Sequence, residues 1–218
     1  MVNNVVSPPT PVNEPVKGYL PGSPERVELL AEIQRQSAEV IEIPCIINGE
    51  EVFTGDVVEQ VMPHNHSHVI ARVHMAGENE VNAAIDAALS AHHMWSTMPW
   101  ESRCAIFLKA SELLAGPRRA EINASTMLNQ SKTCHQAEID SACELIDFWR
   151  FNSDYCRQIY EDLQPPVSPS SMWNSSEVRP LEGFVFSVTP FNFSSIAANL
   201  PSSAAIMGNT GVWKPSRN

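Results

Sequence analysis

The sequence predicts an α/β fold in which a layer of helices is followed by the beginning of a parallel sheet. Two observations predict it: consecutive segments with apolar residues at helical spacing, and a closing stretch that alternates strand, turn, helix and strand. The chain has 218 residues, 43% of them hydrophobic, which is enough to bury a core. Its net charge of −11 opposes nucleic acids and anionic membranes as partners, and no apolar run approaches the roughly 20 residues of a membrane span.

The amino-terminal residues are predicted to form an arm followed by a helix. Residues 1–22 are rich in proline and show no periodicity, so we expect an extended arm. Ser23, Pro24 and Glu25 have the pattern of a helix start, and the helix is expected to run to about Val40. Its predicted buried stripe contains Val27, Leu30, Ile33 and Ser37.

Two pairs of strands are predicted next. Asn48-Gly49 lies between two β-rich runs of the segment Pro44–Gly55, which indicates a hairpin, and a second pair is expected at Val57–Met62 and Val69–His74. Between the strands of the second pair lie three alternating histidines, which on a strand would share one face as metal ligands must. An exposed loop is the preferred interpretation because the stretch follows a proline and is polar throughout, and a metal-binding or pH-sensing role is the alternative. The histidines are His64, His66 and His68.

Four helices in succession are predicted to form the helical layer. They cover Glu78–His93, Glu101–Leu114, Arg118–Asn129 and the stretch from a capping box at Thr133 to about Asp162. The residues expected to face inward are Val81, Ala84, Ile85, Ala88, Leu89, Ala105, Leu108, Leu113, Leu114, Ile122, Ser125, Thr126, Leu128, Ala142, Leu145, Ile146, Trp149 and Ser153.

A proline- and serine-rich linker then separates this layer from the end of the chain. The linker is Gln164–Trp173, and a short polar strand is expected at Ser175–Pro180. The predicted organisation is therefore an arm (1–22), a first part with helices and small hairpins (23–163), a linker with a bridging strand (164–180) and a terminal unit (181–218).

The terminal unit has the pattern of one βαβ motif. Phe184–Val188 is predicted to be a strand buried on both faces, Phe193–Met207 a helix that Pro201 kinks or ends early, and Val212-Trp213 the start of a second strand. Gly208-Asn209 closes the helix. Such a motif requires parallel strands, and ligands of parallel sheets bind at the carboxyl ends of the strands.

Four polar residues follow these two strands and are the candidate site residues. Thr189 and Asn192 come after the first strand, and Lys214 and Ser216 after the second. The side-chain NH₂ of an asparagine can donate to a developing oxyanion, and a lysine can reach a ribose or phosphate of a nucleotide. Taken singly, Asn192 could instead cap the helix and Lys214 could be a surface charge.

The same residues resemble a known family. TPFNF followed by MGNTGVWKPS resembles the aldehyde dehydrogenase superfamily, and longer blocks such as IPCIINGEEVFTGD and RPLEGFVFSVTPFNF resemble its 1-pyrroline-5-carboxylate dehydrogenase branch, over about Asn13 to Ser216. The resemblance implies the amino-terminal portion of an aldehyde dehydrogenase, in which the helical layer precedes the start of a Rossmann-like sheet that is incomplete. It also implies NAD-dependent oxidation of L-glutamate γ-semialdehyde to L-glutamate in proline catabolism, with a small aldehyde as substrate and a homo-oligomer as the full-length form.

Roles for the four candidate residues follow from the resemblance alone. Asn192 would stabilise the oxyanion, Thr189 would lie beside NAD, and Lys214 would bind the adenosine ribose with Ser216 nearby. The nucleophilic cysteine and the general-base glutamate of the family are not matched here, so we expect this chain to be inactive alone. The alternative is a non-catalytic truncated subunit that associates with the full-length enzyme.

The cysteines bear on the compartment. The chain has five, with no CxxC pair and an odd number of thiols, which favours a reducing compartment. Residues 1–17 contain no apolar signal core, so a cytoplasmic location is expected. The mitochondrial matrix, where the family works in animals and fungi, is the alternative.

Overall fold

The computed structural model describes residues 7–216. The first part of the expected arm and the last two residues lie outside the described range. Helix α1 (Pro24–Ala38) begins as predicted, since the Ser23 hydroxyl accepts a hydrogen bond from the backbone N–H of Arg26. The predicted buried stripe is wrong in part. Ile33 and Ser37 are half-buried as predicted, and Leu29 is buried. Val27 and Leu30 are exposed, because α1 packs on a later helix through a narrow face that does not include them.

Two small sheets follow, and the Asn48-Gly49 hairpin is confirmed. Strands β2 (Cys45–Ile47) and β3 (Glu50–Val52) are antiparallel, and both turn residues have positive φ, 53° and 82°, as a type I′ turn requires. The second sheet has the order β1-β5-β4, with β1 (Ile41–Ile43) parallel and β4 (Val57–Met62) antiparallel to β5 (Asn65–His74). The sequence did not predict β1.

The histidine stretch is exposed over residues 64–67, as expected, but only His64 lies in a turn, and the stretch from Asn65 onward is a strand instead of the expected loop. Strand β5 already begins at Asn65, because its first residue pairs with Met62 across a bulged ladder. The ring Nδ1 of His64 lies 2.8 Å from the Ser131 hydroxyl, and the ring Nε2 of His68 lies 2.8 Å from a backbone carbonyl at Ser37. These two histidines therefore bind different elements, and residues 7–216 contain no group of three side chains placed to hold a metal ion.

The four predicted helices of the layer are confirmed, with one irregularity. They are α2 (Glu78–Thr97), α3 (Trp100–Ala115), α4 (Arg119–Gln130) and a long segment that starts at the predicted Thr133 capping box. The long segment consists of α5 (Cys134–Ala137), a π-helical turn (Glu138–Cys143) and α6 (Glu144–Asp162). Helix α2 is longer than predicted and includes Trp95, which the sequence placed in a connection. No described helix is long and apolar enough to cross a membrane.

The core of the layer lies where the last long helix crosses its neighbours. Its main cluster consists of Leu114, Ala142, Leu145 and Ile146, and the predicted Trp149 packs against it. Several residues predicted to face inward are exposed, because α2 and α3 each bury only a narrow strip of surface; they are Val81, Leu89, Ala105, Leu113 and, on α4, Ser125.

The arm is fixed to the layer by a buried ion cluster. Arg119 and Glu138 are 2% and 0% exposed, and the Arg119 guanidinium donates to Glu138, to the Glu14 carboxylate and to the backbone carbonyl of Pro15. The Tyr19 hydroxyl also donates to Glu138, at 2.7 Å. A buried carboxylate needs such partners, so the arm completes the packing of the π-helical turn.

The terminal βαβ unit is confirmed. Strands β6 (Val185–Val188) and β7 (Gly211–Lys214) are parallel, and α7 (Ser194–Ile206) connects them and continues through Pro201 without the predicted early end. The prediction of a polar strand at residues 175–180 is wrong, because this segment forms no ladder of hydrogen bonds with any described strand. The expectation that β6 is buried on both faces is also wrong. Phe186 and Val188 are exposed and Ser187 is buried, because α7 packs against one face of β6 and the opposite face is uncovered among the described residues.

A buried arginine joins this unit to the helical layer. Arg103 donates from Nε to the Ile206 carbonyl oxygen at 2.9 Å and from a terminal nitrogen to the Tyr160 hydroxyl at 3.0 Å. The Trp95 indole N–H donates to the Ala205 carbonyl oxygen at 2.9 Å. The carboxyl end of α7 is therefore held by α2, α3 and α6, and this fixes the direction of both parallel strands.

Candidate active site at the carboxyl end of the parallel strands

The register of the two parallel strands brings two of the predicted site residues together. Val188 of β6 is opposite Lys214 of β7, and immediately beyond this pair the backbone N–H of Thr189 donates to the Lys214 carbonyl oxygen at 3.3 Å. The carboxyl ends of both strands thus share one edge. Ligands of parallel sheets bind at that edge.

Thr189 is held inside this edge. Its side chain is 6% exposed, and its hydroxyl oxygen accepts a hydrogen bond from the Trp213 indole N–H at 3.0 Å. A threonine hydroxyl can accept and donate at the same time, so its own proton stays available to a neighbouring acceptor. The sequence predicts Trp213 only as a strand residue, since its bond to Thr189 depends on strand register.

Asn192 lies on the loop between β6 and α7 and is exposed. The N-cap of α7 is Phe193, not Asn192, so the interpretation of Asn192 as a helix cap is wrong. No hydrogen bond among the described residues occupies its side chain; its backbone carbonyl oxygen accepts one from the ammonium group of Lys132. Asn192 therefore presents a free amide donor on a loop whose backbone is held.

Two side-chain hydrogen bonds hold the start of α7, at the far end of the loop, against the helical layer. The Gln130 side-chain amide donates to the Ser194 hydroxyl at 2.9 Å, and the Ser195 hydroxyl donates to the Glu144 carboxylate at 2.8 Å. Both serines are buried or half-buried. Gln130 and Glu144 are 64 and 51 positions away from the serines that they bind, and no pattern in the sequence links them to this loop.

The other two predicted site residues lie at the carboxyl end of β7. Lys214 is exposed and is the last residue of the strand, and Ser216 is half-buried two positions later. An exposed ammonium at the carboxyl end of a parallel strand can donate to ribose hydroxyls or to phosphate oxygens. The edge thus offers an amide donor, an ammonium and two hydroxyls, which suits a nucleotide beside a polar carbonyl group.

The five cysteines belong to the helical layer and the first hairpin. Cys104, Cys143 and Cys156 are buried in the layer, Cys134 is half-buried at the start of α5, and Cys45 belongs to the hairpin. Burial, together with the negative charge of Glu138, raises the pKa of Cys143 to about 12. Cys143 therefore stays a thiol at neutral pH and is not an activated nucleophile.

Comparison with known proteins identifies the family. The family model described as "Aldehyde dehydrogenase family" matches residues 53–218. The chain belongs to the aldehyde dehydrogenase family. Its fold is the amino-terminal portion of the aldehyde dehydrogenase fold, as the resemblance in the sequence implied.

Several relatives of this aldehyde dehydrogenase chain share one name. The chain is 49% identical over 205 residues to delta-1-pyrroline-5-carboxylate dehydrogenase of Agaricus bisporus and 48% identical over 204 residues to the mitochondrial enzyme of Homo sapiens. Both alignments cover 94% of this chain but only 37% and 36% of the relatives. The chain therefore spans a little over a third of the length of the curated relatives that it matches.

Solved structures give the same result for the fold. The crystal structure of the pyrroline-5-carboxylate dehydrogenase of Mycobacterium tuberculosis matches with a TM-score of 0.96 at 46% identity, covering 99% of this chain and 40% of that one. A structure of the same bacterial enzyme bound with NAD matches with a TM-score of 0.96 at 47% identity. The arrangement of helices and strands described above is thus that of this aldehyde dehydrogenase branch.

Proposed function

We propose that this chain is part of an enzyme that oxidises L-glutamate γ-semialdehyde, the open form of 1-pyrroline-5-carboxylate, to L-glutamate with NAD as cofactor. One observation carries the proposal. Asn192 follows the first strand of a parallel pair and Lys214 ends the second, in a chain that is 49% identical to a pyrroline-carboxylate dehydrogenase. The relevant chemistry is aldehyde oxidation in the proline catabolic pathway.

Asn192 is proposed as the oxyanion donor. When a nucleophile adds to an aldehyde, negative charge develops on the carbonyl oxygen, and a donor already aimed at that oxygen lowers the barrier. The exposed Asn192 amide has no competing hydrogen bond among the described residues, and its backbone is held by Lys132. Both properties are required of such a donor, because an amide engaged elsewhere would have to break a bond first.

The residues present fit a dinucleotide at the same edge. Lys214 would hold the ribose hydroxyls, with Ser216 beside it, and the buried Thr189 would line the cofactor pocket near the strand end. When bound, NAD supplies the hydride acceptor of the reaction. The chain's own contribution is to bind the cofactor through Lys214 and to keep the strand edge in register through the Thr189–Trp213 hydrogen bond.

The test is turnover by the complete protein that contains this chain. We expect NADH production from L-glutamate γ-semialdehyde at a kcat/KM well above that for acetaldehyde. Asn192→Ala should lower kcat by about 10² to 10³. Lys214→Met should raise the KM for NAD with little change in kcat, and the matched control Lys109→Met, at an exposed position of α3, should change neither. No turnover of the semialdehyde, or an unchanged kcat in Asn192→Ala, would overturn the proposal.

Assembly and compartment are part of the same proposal. We expect the complete protein to be a homo-oligomer, which mass photometry would detect, and a tagged copy would locate it. The free cysteines fit a reducing compartment, and we propose the cytoplasm with the mitochondrial matrix as the alternative. The human and Dictyostelium discoideum relatives are named mitochondrial, and the Agaricus bisporus relative is not.

A further inference from the structure

Lys132 connects three separate parts of the molecule through one ammonium group. It lies in the short connection between α4 and α5, and its Nζ donates to the Asp140 carboxylate at 2.7 Å and to the backbone carbonyl oxygen of Asn192. The same nitrogen lies 4.1 Å from the centroid of the Phe193 ring. These contacts join the π-helical turn to the loop that carries Asn192.

The contact with Asn192 differs from an ordinary surface contact. The Lys132 side chain is only 13% exposed, so its charge needs partners inside the protein. Asp140 supplies the opposite charge, the Phe193 ring supplies its negative face and the Asn192 carbonyl supplies an acceptor. A lysine ammonium has three donors, and the arrangement leaves the side chain little freedom to move away from the loop.

The other side-chain hydrogen bonds of this loop hold its two ends. The Thr189 hydroxyl is bound by Trp213 at the strand end, and Ser194 and Ser195 are bound by Gln130 and Glu144 at the helix start. Between these ends, among residues 7–216, only Lys132 binds the Asn192 backbone. Removing its ammonium would leave residues 190–192 without a side-chain hydrogen bond.

We propose that Lys132 is a positioning residue for Asn192: by holding the Asn192 carbonyl oxygen, it sets the direction of the Asn192 amide toward the aldehyde oxygen. The catalytic meaning of this assignment rests on the proposed function above. Lys132 does not itself touch the substrate. It affects the rate because it determines where the Asn192 amide lies. A displacement of a catalytic donor by about 1 Å can lower a rate by about 10²-fold.

A purely structural role of Lys132 makes a different prediction. If the lysine only stabilises the helical layer, its removal should lower the folded fraction and leave the kcat of the folded enzyme unchanged. If it positions Asn192, its removal should lower kcat, leave the KM for NAD nearly unchanged and have no further effect once Asn192 is absent. A double-mutant cycle separates the two cases because only interacting residues give non-additive effects.

The experiment uses the complete protein with four variants: Lys132→Met, Lys132→Arg, Asn192→Ala and the Lys132→Met/Asn192→Ala double variant. We expect Lys132→Met to lower kcat by about 10- to 100-fold. Lys132→Arg should recover part of the loss, since it keeps the charge and the donors. In the Asn192→Ala background, Lys132→Met should change kcat less than about twofold. An equal loss in both backgrounds would overturn the proposal.

Crystal structures of the wild type and of Lys132→Met test positioning without reference to activity. We expect the Asn192 side chain to move by about 1 Å in Lys132→Met, with no change in β7 and no movement in the control Lys109→Met. If the wild type does not oxidise the semialdehyde, the proposed function fails, and the two structures still decide whether Lys132 holds this loop. An Asn192 side chain in the same position in both proteins would overturn the positioning role.

Discussion

The Arg119 guanidinium and the Glu138 carboxylate form an ion pair that is completely enclosed by the helical layer and the arm. Arg119 donates to both carboxylate oxygens, and Glu138 also accepts from Tyr19, from the Asn123 side chain and from the backbone N–H of Lys17. Every oxygen of the buried carboxylate is therefore satisfied. The pair is the point at which arm, α4 and the π-helical turn meet.

Breaking this pair should destabilise the chain strongly. Arg119→Met leaves Glu138 buried without its counter-charge, and we expect the free energy of unfolding to fall by about 3–5 kcal/mol. Arg118→Met is the matched control, because Arg118 pairs with Glu121 at the exposed surface and its loss should change stability little. Urea denaturation of both variants measures the difference. Equal effects of the two substitutions would show that the buried pair adds nothing.

The Glu138 carboxylate should make the free energy of unfolding depend on pH in acidic solution. Burial alone would raise the pKa of Glu138, but the hydrogen bonds from Arg119, Lys17 and Tyr19 outweigh it and hold this pKa below its ordinary value. An acid with a depressed folded pKa stabilises the fold above its unfolded pKa, about 4.3, and this contribution is lost as pH falls through the folded pKa.

We therefore expect the free energy of unfolding to fall from about pH 5 downward, and to fall less steeply in Glu138→Gln. The comparison of the two pH profiles isolates Glu138 from the other carboxylates, which titrate in both proteins. Parallel profiles in this range would contradict the prediction.

Cysteine labelling should report which thiols the fold protects. Cys104, Cys143 and Cys156 are buried, and burial raises the pKa of Cys143 to about 12, whereas Cys45 and Cys134 are half-buried. Since the thiolate is the reactive form, a disulfide reagent at about pH 8 should modify Cys45 and Cys134 slowly and the buried three only after denaturation. Mass spectrometry of the labelled peptides identifies the sites. Fast native labelling of Cys143 would show that the arm does not cover it.

Two glycines with left-handed backbones offer a matched test of packing. Gly208, just after α7, has φ +90°, and an added Cβ would lie 3.4 Å from the Arg103 guanidinium; Gly55 has φ +83° and open space around it. An alanine at either position costs about 1–2 kcal/mol for its backbone conformation. Gly208→Ala should cost more, because Arg103 binds Ile206 and Tyr160 and cannot move freely. Thermal unfolding compares the two, and equal shifts would exclude a packing contribution at Gly208.

The chain alone should not produce NADH from L-glutamate γ-semialdehyde. None of its five cysteines belongs to β6, to β7 or to the loop that carries Asn192, and three of them are buried in the helical layer. Purified 1–218 should therefore give the same signal as a heat-treated sample, whereas the complete protein should be active. Turnover by 1–218 would contradict this prediction.

Local patterns were sufficient to predict the βαβ unit and the hairpin. Asn48 and Gly49 adopt positive φ more readily than other residues, and this predicted one turn. The alternation of strand, turn, helix and strand was enough to place Thr189 and Lys214 at one edge of the sheet. Phe186 and Val188 were wrongly expected to be buried, because an apolar run predicts a strand but not what packs on it. The π-helical turn was missed since its single extra residue leaves no mark on the helical period.

The candidate site was predictable only in part, for a related reason. Asn192 and Lys214 stand next to strands, and that position is visible in the sequence. Gln130 and Glu144 reach the loop from α4 and α6, and Lys132 reaches it from the connection between α4 and α5. Only their hydrogen bonds in the folded chain show that these three residues belong to the site. Residues that position a site act across tertiary contacts, so a linear pattern cannot identify them.

The docking of the arm sets an order of events during synthesis. Glu14 leaves the ribosome early, but Asp147, which accepts a hydrogen bond from its backbone N–H, follows 133 residues later. At a typical rate of about 5–20 residues per second, the arm waits on the order of ten seconds for its binding surface. During this time the arm has no surface to bind, because Arg119 and Glu138 are themselves made after it. We conclude that the arm docks only once the helical layer has been translated as far as Asp147.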